Sequence, residues 1–479
     1  MPIEQTTAER KGLIIGGQEI FTDSEFAVLD KYTGEVIANV AKASKEHINQ
    51  AVSIAQKTFD QDQLTPYQRY EILKRAAEIL KNRKEDVAIT LSREVGKTIT
   101  DARGEVDRAI QTLTLSSEEA KRIDGEVIPI SASPGAENRM GYAIRTPLGV
   151  IGAITPFNFP FNLACHKVGP AIASGNTVVW KPASDTATSA YHLIDILKEA
   201  GLPSGYVNLV CGSGAQVGEW LLKDERIAKY TFTGSAEVGR YIKENSGLRP
   251  VSLELGNNSP NIVHHDADLD LAAKMCVLKG FNTAGQACIS VQRILVHSQV
   301  YDQFLDKLKA ETEQLKVGNP LDAKTNIGPL ISRKEADRVM AWIKEAVSQG
   351  AKVIAGGKQD GSIVAPTILS DVNHEMKVVC QEIFGPVLTV MPFDDIDDAI
   401  EQANNSNYGL QSGIFTTNIN TAMKAVKKFR TGGVIINDAS TFRADAMPYG
   451  GIKDSGIGKE GPRYAIEEMT YLKTVIINL

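Results

Sequence analysis
The 479-residue sequence predicts an α/β protein built from two parallel-sheet domains. Two runs of strand–helix alternation carry that prediction, one from Ile144 to about Thr233 and one from Ile294 to about Asn437. Successive parallel strands need a crossover, usually helical, so such alternation implies sheets with helices on both faces. The tail is different. Tyr471-Leu472-Lys473-Thr474-Val475-Ile476-Ile477-Asn478 is a β-branched strand with nothing after it to pair with, the kind of edge that proteins cover, for example with another subunit.

Taken in order, Leu13-Ile14-Ile15-Gly16-Gly17 and Phe26-Ala27-Val28-Leu29 read as short strands joined by turns. From Ser44 the period becomes helical, with Ile48, Val52, Ala55 and Phe59 recurring every three or four residues. Thr65-Pro66 starts a long helix, Thr as cap and Pro in the first turn, with Ile72, Leu73, Ala76, Ala77 and Leu80 on its apolar face. Helical pattern returns over Val87-Leu91 and from about Glu105 to Lys121. Strands follow at Val150–Ile154, Thr177–Trp180, Tyr206–Val210 and Lys229–Thr233. Between them lie a helical run through Pro170–Ala173 that ends at Gly175, and a helix over Ala190–Ala200 stopped by Gly201-Leu202-Pro203.

A net charge of −6 gives no electrostatic reason to bind nucleic acid or an anionic membrane. No apolar stretch approaches the ~20 residues needed to span a bilayer, and Met1–Thr7 lacks the basic and apolar parts of a secretory signal. A cytoplasmic protein is expected. The odd count of five cysteines, with no CxxC pair and no clustered His, argues against a disulfide framework or a metal site and for a reducing compartment. Cys165, Cys211, Cys276 and Cys380 lie in apolar or strand-like sequence.

Cys288 stands apart. A lone cysteine is more often a small core residue, but Gly285-Gln286-Ala287-Cys288-Ile289-Ser290 places this thiol for reaction. Upstream, Leu253-Glu254-Leu255-Gly256 offers a carboxylate able to activate water. A nucleophilic sulfur with such a base suggests chemistry through a thioester. Phosphate sites are less explicit. Gly212-Ser213-Gly214-Ala215-Gln216-Val217-Gly218 has one residue too many for a dinucleotide fingerprint, whereas Gly234-Ser235-Ala236-Glu237-Val238-Gly239 follows a strand and opens a helix. Lys181 sits at the carboxyl end of a strand, where parallel sheets present ligand-binding residues.

Together these segments resemble the aldehyde dehydrogenase superfamily. The match runs in family order through Thr155-Pro156-Phe157-Asn158-Phe159-Pro160, Lys181-Pro182-Ala183-Ser184, Phe232-Thr233-Gly234-Ser235, Leu253-Glu254-Leu255-Gly256, Gly285-Gln286-Ala287-Cys288, Glu382-Ile383-Phe384-Gly385-Pro386 and Pro448-Tyr449-Gly450-Gly451-Ile452-Lys453-Asp454-Ser455-Gly456. The resemblance implies an NAD(P)-binding domain over 1–122 and 146–253, a catalytic domain over 254–445, and a small β oligomerisation arm over 123–145 and 460–479 that builds a homodimer or homotetramer. It implies Cys288 as nucleophile, Asn158 and the Cys288 N–H as oxyanion donors, and Glu254 as the base for water. NAD or NADP is the implied cofactor, with Lys181 and Glu382 at its riboses, Gly234 and Ser235 by the pyrophosphate, Phe384 near the nicotinamide, and Thr155 and Pro156 also among the cofactor-binding residues. Members strict for NAD often carry Glu where this chain has Ser184, so NADP is expected to be usable.

Two departures bear on specificity. Asn257 replaces a glycine close to Glu254 and is expected to restrict that carboxylate or to bond it. Asn162 and His166, four apart on one helical face, and Arg443, six residues before Tyr449, resemble pocket positions. Because a guanidinium suits carboxylate, sulfonate or phosphate, the expected substrate is a short polar aldehyde with an anionic group, such as succinate semialdehyde, sulfolactaldehyde, phosphonoacetaldehyde or glyceraldehyde 3-phosphate. Lactaldehyde and glycolaldehyde are the neutral options. Two other readings exist on this scaffold: a coenzyme A-acylating enzyme, against which Glu254 counts, and a silent structural protein, against which Cys288 and Asn158 count.

Overall fold
Each of the first two long helices begins at a residue able to cap it. Ser44 accepts the His47 N–H at 3.4 Å while the His47 ring accepts the Ser44 N–H at 3.1 Å, closing a capping box on Lys45–Gln61. Thr65 and Gln68 do the same for Pro66–Asn82. The structure, a computed structural model, describes residues 8–479. The first seven residues, on which the expectation of no secretory signal rests, lie outside the described residues. No helix among the described residues is long and apolar enough to cross a membrane.

The first sheet has eight strands, with five parallel ones at its centre: Val251–Glu254, Ile227–Thr233, Val150–Ile154, Thr177–Lys181 and Val207–Leu209. Antiparallel strands finish both edges, Gly456–Ile457 on one side and Leu13–Ile15 with Gln18–Ile20 on the other. Register places Phe232 beside Ile154, Ile154 beside Lys181, and Thr233 beside Glu254, so the loops at Thr155, Pro182, Gly234 and Leu255 leave the same end of the sheet. Ligands of open parallel sheets bind at that carboxyl end.

Helix Ile99–Ala120 packs against both Pro66–Asn82 and Pro160–Ala173. All fourteen residues of Pro160–Ala173 are buried. A helix buried on every side has no solvated stripe to set its period, which is why the sequence pattern shows only its last turn.

The second sheet has seven strands in the order Lys352–Ala355, Thr367–Ser370, Val387–Phe393, Arg293–His297, Pro260–Val263, Gln411–Phe415 and Gly433–Ile436, all parallel except the first. It begins at Pro260, earlier than the alternation from Ile294 suggests, because Pro260–Val263 is a short central strand. A third, antiparallel sheet pairs Thr470–Asn478 with Arg139–Pro147, and that strand with Glu126–Ile128. The terminal strand forms one edge of it, with Leu472 and Ile476 exposed. Cys165, Cys211 and Cys276 are buried, but Cys380, at the end of the short helix Lys377–Cys380, is exposed and not packed as its sequence surroundings suggest.

Candidate active site
The carboxyl ends of the first sheet and the loops entering the second line one cavity of about 1530 Å³. Cys288 is delivered to its wall by a turn in which Thr283, Ala284 and Gly285 all have left-handed φ, at 49°, 53° and 72°. For a β-branched residue such as Thr283 that conformation costs on the order of 1–3 kcal/mol. Only glycine fits at 285, where a Cβ would come 2.1 Å from the Gly385 carbonyl oxygen. The Cys288 sulfur lies 2.9 Å from the Tyr449 hydroxyl. Burial pushes the thiol up to about 12, against the opposing pull of the Tyr449 hydrogen bond and the Arg443 charge. Burial thus favours the thiol, and the Tyr449 hydroxyl and the Arg443 charge favour the thiolate.

Asn158 follows the strand Val150–Ile154 and is fixed at both ends of its amide. Its Nδ2 donates to the Gln286 carbonyl at 2.8 Å, and its Oδ1 accepts the Phe159 N–H at 3.1 Å. One Nδ2 hydrogen remains, enough to meet an oxyanion beside Cys288.

Glu254 is buried, and neither carboxylate oxygen has a hydrogen-bond partner. It does not line the cavity; a Cβ on Gly450 would lie 3.0 Å from its Oε1, so that glycine leaves the carboxylate room. Burial first, and then the Glu460 charge, raise the Glu254 carboxyl well above the ordinary carboxylate range. Glu460 behaves oppositely. Against the cost of burial, Lys167 and Arg443 hold it well below that range, the lysine Nζ donating at 3.0 Å and the arginine Nη2 at 2.8 Å. One carboxyl is thus pinned as an anion and its neighbour pushed toward holding its proton.

Lys167 and Glu460 are residues that sequence reasoning missed. Lys167 did carry a signal, since an ammonium inside the apolar run Leu163–Ala173 must be paired to be buried. Glu460, in Gly458-Lys459-Glu460-Gly461, looks like an ordinary exposed turn.

The residues assigned to a dinucleotide line the same cavity: Thr155, Pro156, Lys181, Ser184, Gly234, Ser235, Glu382 and Phe384. Lys181 donates to the Pro182 carbonyl at 2.7 Å, and burial brings its ammonium down to about 8. Ser184 donates to the Gly212 carbonyl at 2.9 Å. Ser235 caps Ala236–Asn245, accepting the Val238 N–H at 3.4 Å. Glu382 accepts the Asn257 N–H at 3.0 Å, and burial pushes it up to about 7. Gly256 backs directly onto it; a Cβ there would be 2.3 Å from its Oε2. Phe384 is held at φ 48°, edge-on to Phe157 with ring centroids 5.8 Å apart. The Trp180 indole fixes the Thr155 hydroxyl at 2.9 Å. A buried ammonium and a buried carboxyl facing one cavity, beside a capped helix start, fit the riboses and pyrophosphate of a nicotinamide dinucleotide.

The expectation that Asn257 bonds Glu254 is corrected. Its side chain donates to Ser259 Oγ at 2.7 Å and the Gln411 carbonyl at 3.2 Å, and does not bond Glu254. The pocket group is corrected in part. Arg443, Asn162 and Tyr449 line the cavity, but His166 does not. Spacing of four does put Asn162 and His166 on one face, and that face meets Asp445, which bonds His166 Nε2 at 2.9 Å and accepts Asn162 Nδ2 at 3.4 Å. Burial, and then the Arg443 charge, lower the His166 imidazole, which keeps it neutral. Arg443 reaches the wall with its charge already paired to Glu460 and its guanidinium carbon 3.7 Å above the Tyr449 ring. Another guanidinium near Arg443, Arg108, was not foreseen. It lines the cavity, is less buried than Arg443, and is held by Asp445 at 2.7 Å.

A model of the aldehyde dehydrogenase family matches residues 21–475. A 3-sulfolactaldehyde dehydrogenase of Priestia aryabhattai is 52% identical over 474 residues, covering 99% of each chain. A lactaldehyde dehydrogenase of Methanococcus vannielii is 43% identical over 471 residues, covering 97% of this chain and 100% of that one. Among solved structures, aldehyde dehydrogenase 21 of Physcomitrella patens, in complex with its reaction product succinate, superposes with a TM-score of 0.96 at 39% identity, covering 99% of both chains.

Proposed function
The chain belongs to the aldehyde dehydrogenase family, and on that premise we propose that it oxidises a short anionic aldehyde to the acid through a thioester on Cys288. The Cys288 thiolate attacks the aldehyde carbon, and the oxyanion that forms is met by Asn158 Nδ2 and the Cys288 N–H. A bound nicotinamide dinucleotide supplies the hydride acceptor. Lys181 and Glu382 would hold its ribose hydroxyls, Gly234 and Ser235 its pyrophosphate, Phe384 would pack near its nicotinamide, and Thr155 and Pro156 would also line its site. Glu254 then takes a proton from water, which attacks the thioester carbonyl; collapse expels the Cys288 thiolate and releases the acid.

The observation that carries the substrate class is Arg108, one of four arginines on the cavity that holds Cys288, which stands on Asp445 while Arg443 is already paired to buried Glu460. Lys279, which makes no ion pair among the described residues, shares that wall. Carboxylate, sulfonate and phosphate all suit a planar fork of N–H donors. The likeness to a 3-sulfolactaldehyde dehydrogenase, and to a structure holding succinate, supports the same class. Ser184, in place of an acidic side chain, supports use of NADP as well as NAD. The exposed apolar residues Val127, Leu472 and Ile476 on the three-stranded sheet support a homodimer or homotetramer built through that arm.

The test is reduced-nicotinamide formation by the purified protein across sulfolactaldehyde, succinate semialdehyde, glyceraldehyde 3-phosphate, lactaldehyde and glycolaldehyde, each with NAD and with NADP, and without coenzyme A. Turnover favouring an anionic aldehyde is expected. A preference for neutral aldehydes discards the anion site, and activity that needs coenzyme A overturns the role of Glu254.

A further inference from the structure
One turn of helix Ile99–Ala120 touches both halves of the reaction site. Asp101 accepts the Asn282 side-chain amide at 2.7 Å and the Thr283 N–H at 3.4 Å, at the entry to the left-handed turn before Cys288. Glu105, one helical turn later, accepts the Phe161 and Asn162 N–H groups at 2.9 and 3.1 Å, at the start of the helix that follows Asn158. Between them the turn closes on itself. The Gln286 N–H and side-chain amide both donate to the Thr283 carbonyl at 3.1 Å. The Gln286 carbonyl then accepts Asn158 Nδ2. Two strained non-glycine residues, Thr283 and Ala284, persist only where their surroundings over-determine them, and Asp101 supplies that constraint on the entry side.

We propose that Asp101 is a positioning residue for oxyanion stabilisation, setting the Asn158 amide through the Thr283–Ala284–Gly285 turn and the Gln286 carbonyl. The assignment rests on the thioester reading of Cys288 and Asn158. Asp101 touches no reacting atom in this account; it decides where the Gln286 carbonyl points, and that carbonyl decides which Asn158 hydrogen is left for the substrate. The step affected is hydride transfer, when the oxyanion is present.

A double-mutant cycle on the single-turnover rate of reduced-nicotinamide formation tests this. Asn158→Ala is expected to lose about 10²–10³-fold, as for removal of an oxyanion donor. Asp101→Ala is expected to lose roughly tenfold alone, with KM for the dinucleotide unchanged, and almost nothing further in the Asn158→Ala background. Asp101→Asn, which keeps one acceptor oxygen, should recover part of the loss and serves in place of the alanine variant if that one does not fold. Equal losses in the two backgrounds, or a rate within about twofold of wild type for both Asp101 variants, overturn the positioning role. A single-turnover rate unchanged in Asn158→Ala overturns Asn158 as the oxyanion donor, and the inference with it, whereas an unchanged rate in Cys288→Ala overturns the thioester reading itself.

Discussion
The Tyr449 hydroxyl lies 2.9 Å from the Cys288 sulfur, and both groups are walled into the same cavity. A phenol at that distance donates to a thiolate but gains little from a thiol. The contact therefore favours the reactive form, partly offsetting the burial that pushes the thiol up to about 12. Tyr449→Phe removes the donor and keeps the ring beneath Arg443. A hydrogen bond to a charged group contributes about 1.5–3 kcal/mol, and about 1.4 kcal/mol is one pKa unit. Alkylation of Cys288 by iodoacetamide should slow at least about tenfold at fixed pH, with its rising limb moved further alkaline. An unchanged pH profile removes Tyr449 from thiolate stabilisation.

Glu254 gives a pH dependence of definite sign. Its carboxyl is raised by burial and by Glu460, so it holds its proton through the ordinary carboxylate range and becomes a base only as pH climbs above that range. Steady-state turnover limited by thioester hydrolysis should therefore rise with pH on a limb well above ordinary carboxylate titration. Glu254→Gln should abolish that limb and lower steady-state turnover by about 10²–10⁴-fold, while one equivalent of reduced nicotinamide still forms in a burst. Loss of the burst together with turnover places Glu254 at the thiol step instead.

The two arginines separate by what already binds them. Arg443 is buried in a cluster with Glu460 and Lys167, whereas Arg108 is more open and anchored by Asp445. Arg108→Ala should raise KM for an anionic aldehyde far more than for a neutral one of equal size. Arg443→Ala should raise KM for both and also destabilise the fold. Glu460→Gln, which leaves two cations sharing a site without their anion, should cost on the order of 3–5 kcal/mol in denaturant unfolding. Equal KM effects on both aldehydes in Arg108→Ala remove Arg108 as the selector.

Most of the chemistry was legible because reactive groups sit where strands end. Lys181 ends a strand, Gly234 and Ser235 lie between Ile227–Thr233 and its following helix, and Glu254 closes its own strand. Strand ends are readable from β-branched runs cut by turn residues. Contacts made across the fold were not. His166 and Asn162 share a face as their spacing says, but what that face meets, Asp445, lies 279 residues from His166 along the chain. Arg108 and Asp101 project from helix Ile99–Ala120, of which the sequence pattern shows only the stretch from about Glu105 and nothing of what its polar residues meet. Polarity alone does not tell a solvated face from one that lines a cavity.

Cofactor choice should depend on pH through Lys181. Burial brings its ammonium down to about 8, so the charge is present below that pH and lost above it. A 2′-phosphate gains from the cation, whereas a ribose hydroxyl can still be held by a neutral amine. KM for NADP should therefore climb more steeply than KM for NAD as pH rises through about 8. Ser184 lies three residues from Lys181, on the same cavity wall, with its hydroxyl on the Gly212 carbonyl. Ser184→Glu would add a negative charge at that end of the cavity. It should raise KM for NADP about tenfold or more, as expected for about 1.4 kcal/mol of like-charge repulsion, and leave KM for NAD nearly unchanged. If the NADP-to-NAD ratio of KM values stays flat across that pH interval, Lys181 does not meet the phosphate. If Ser184→Glu raises both KM values alike, the adenosine end of the dinucleotide lies elsewhere in the cavity.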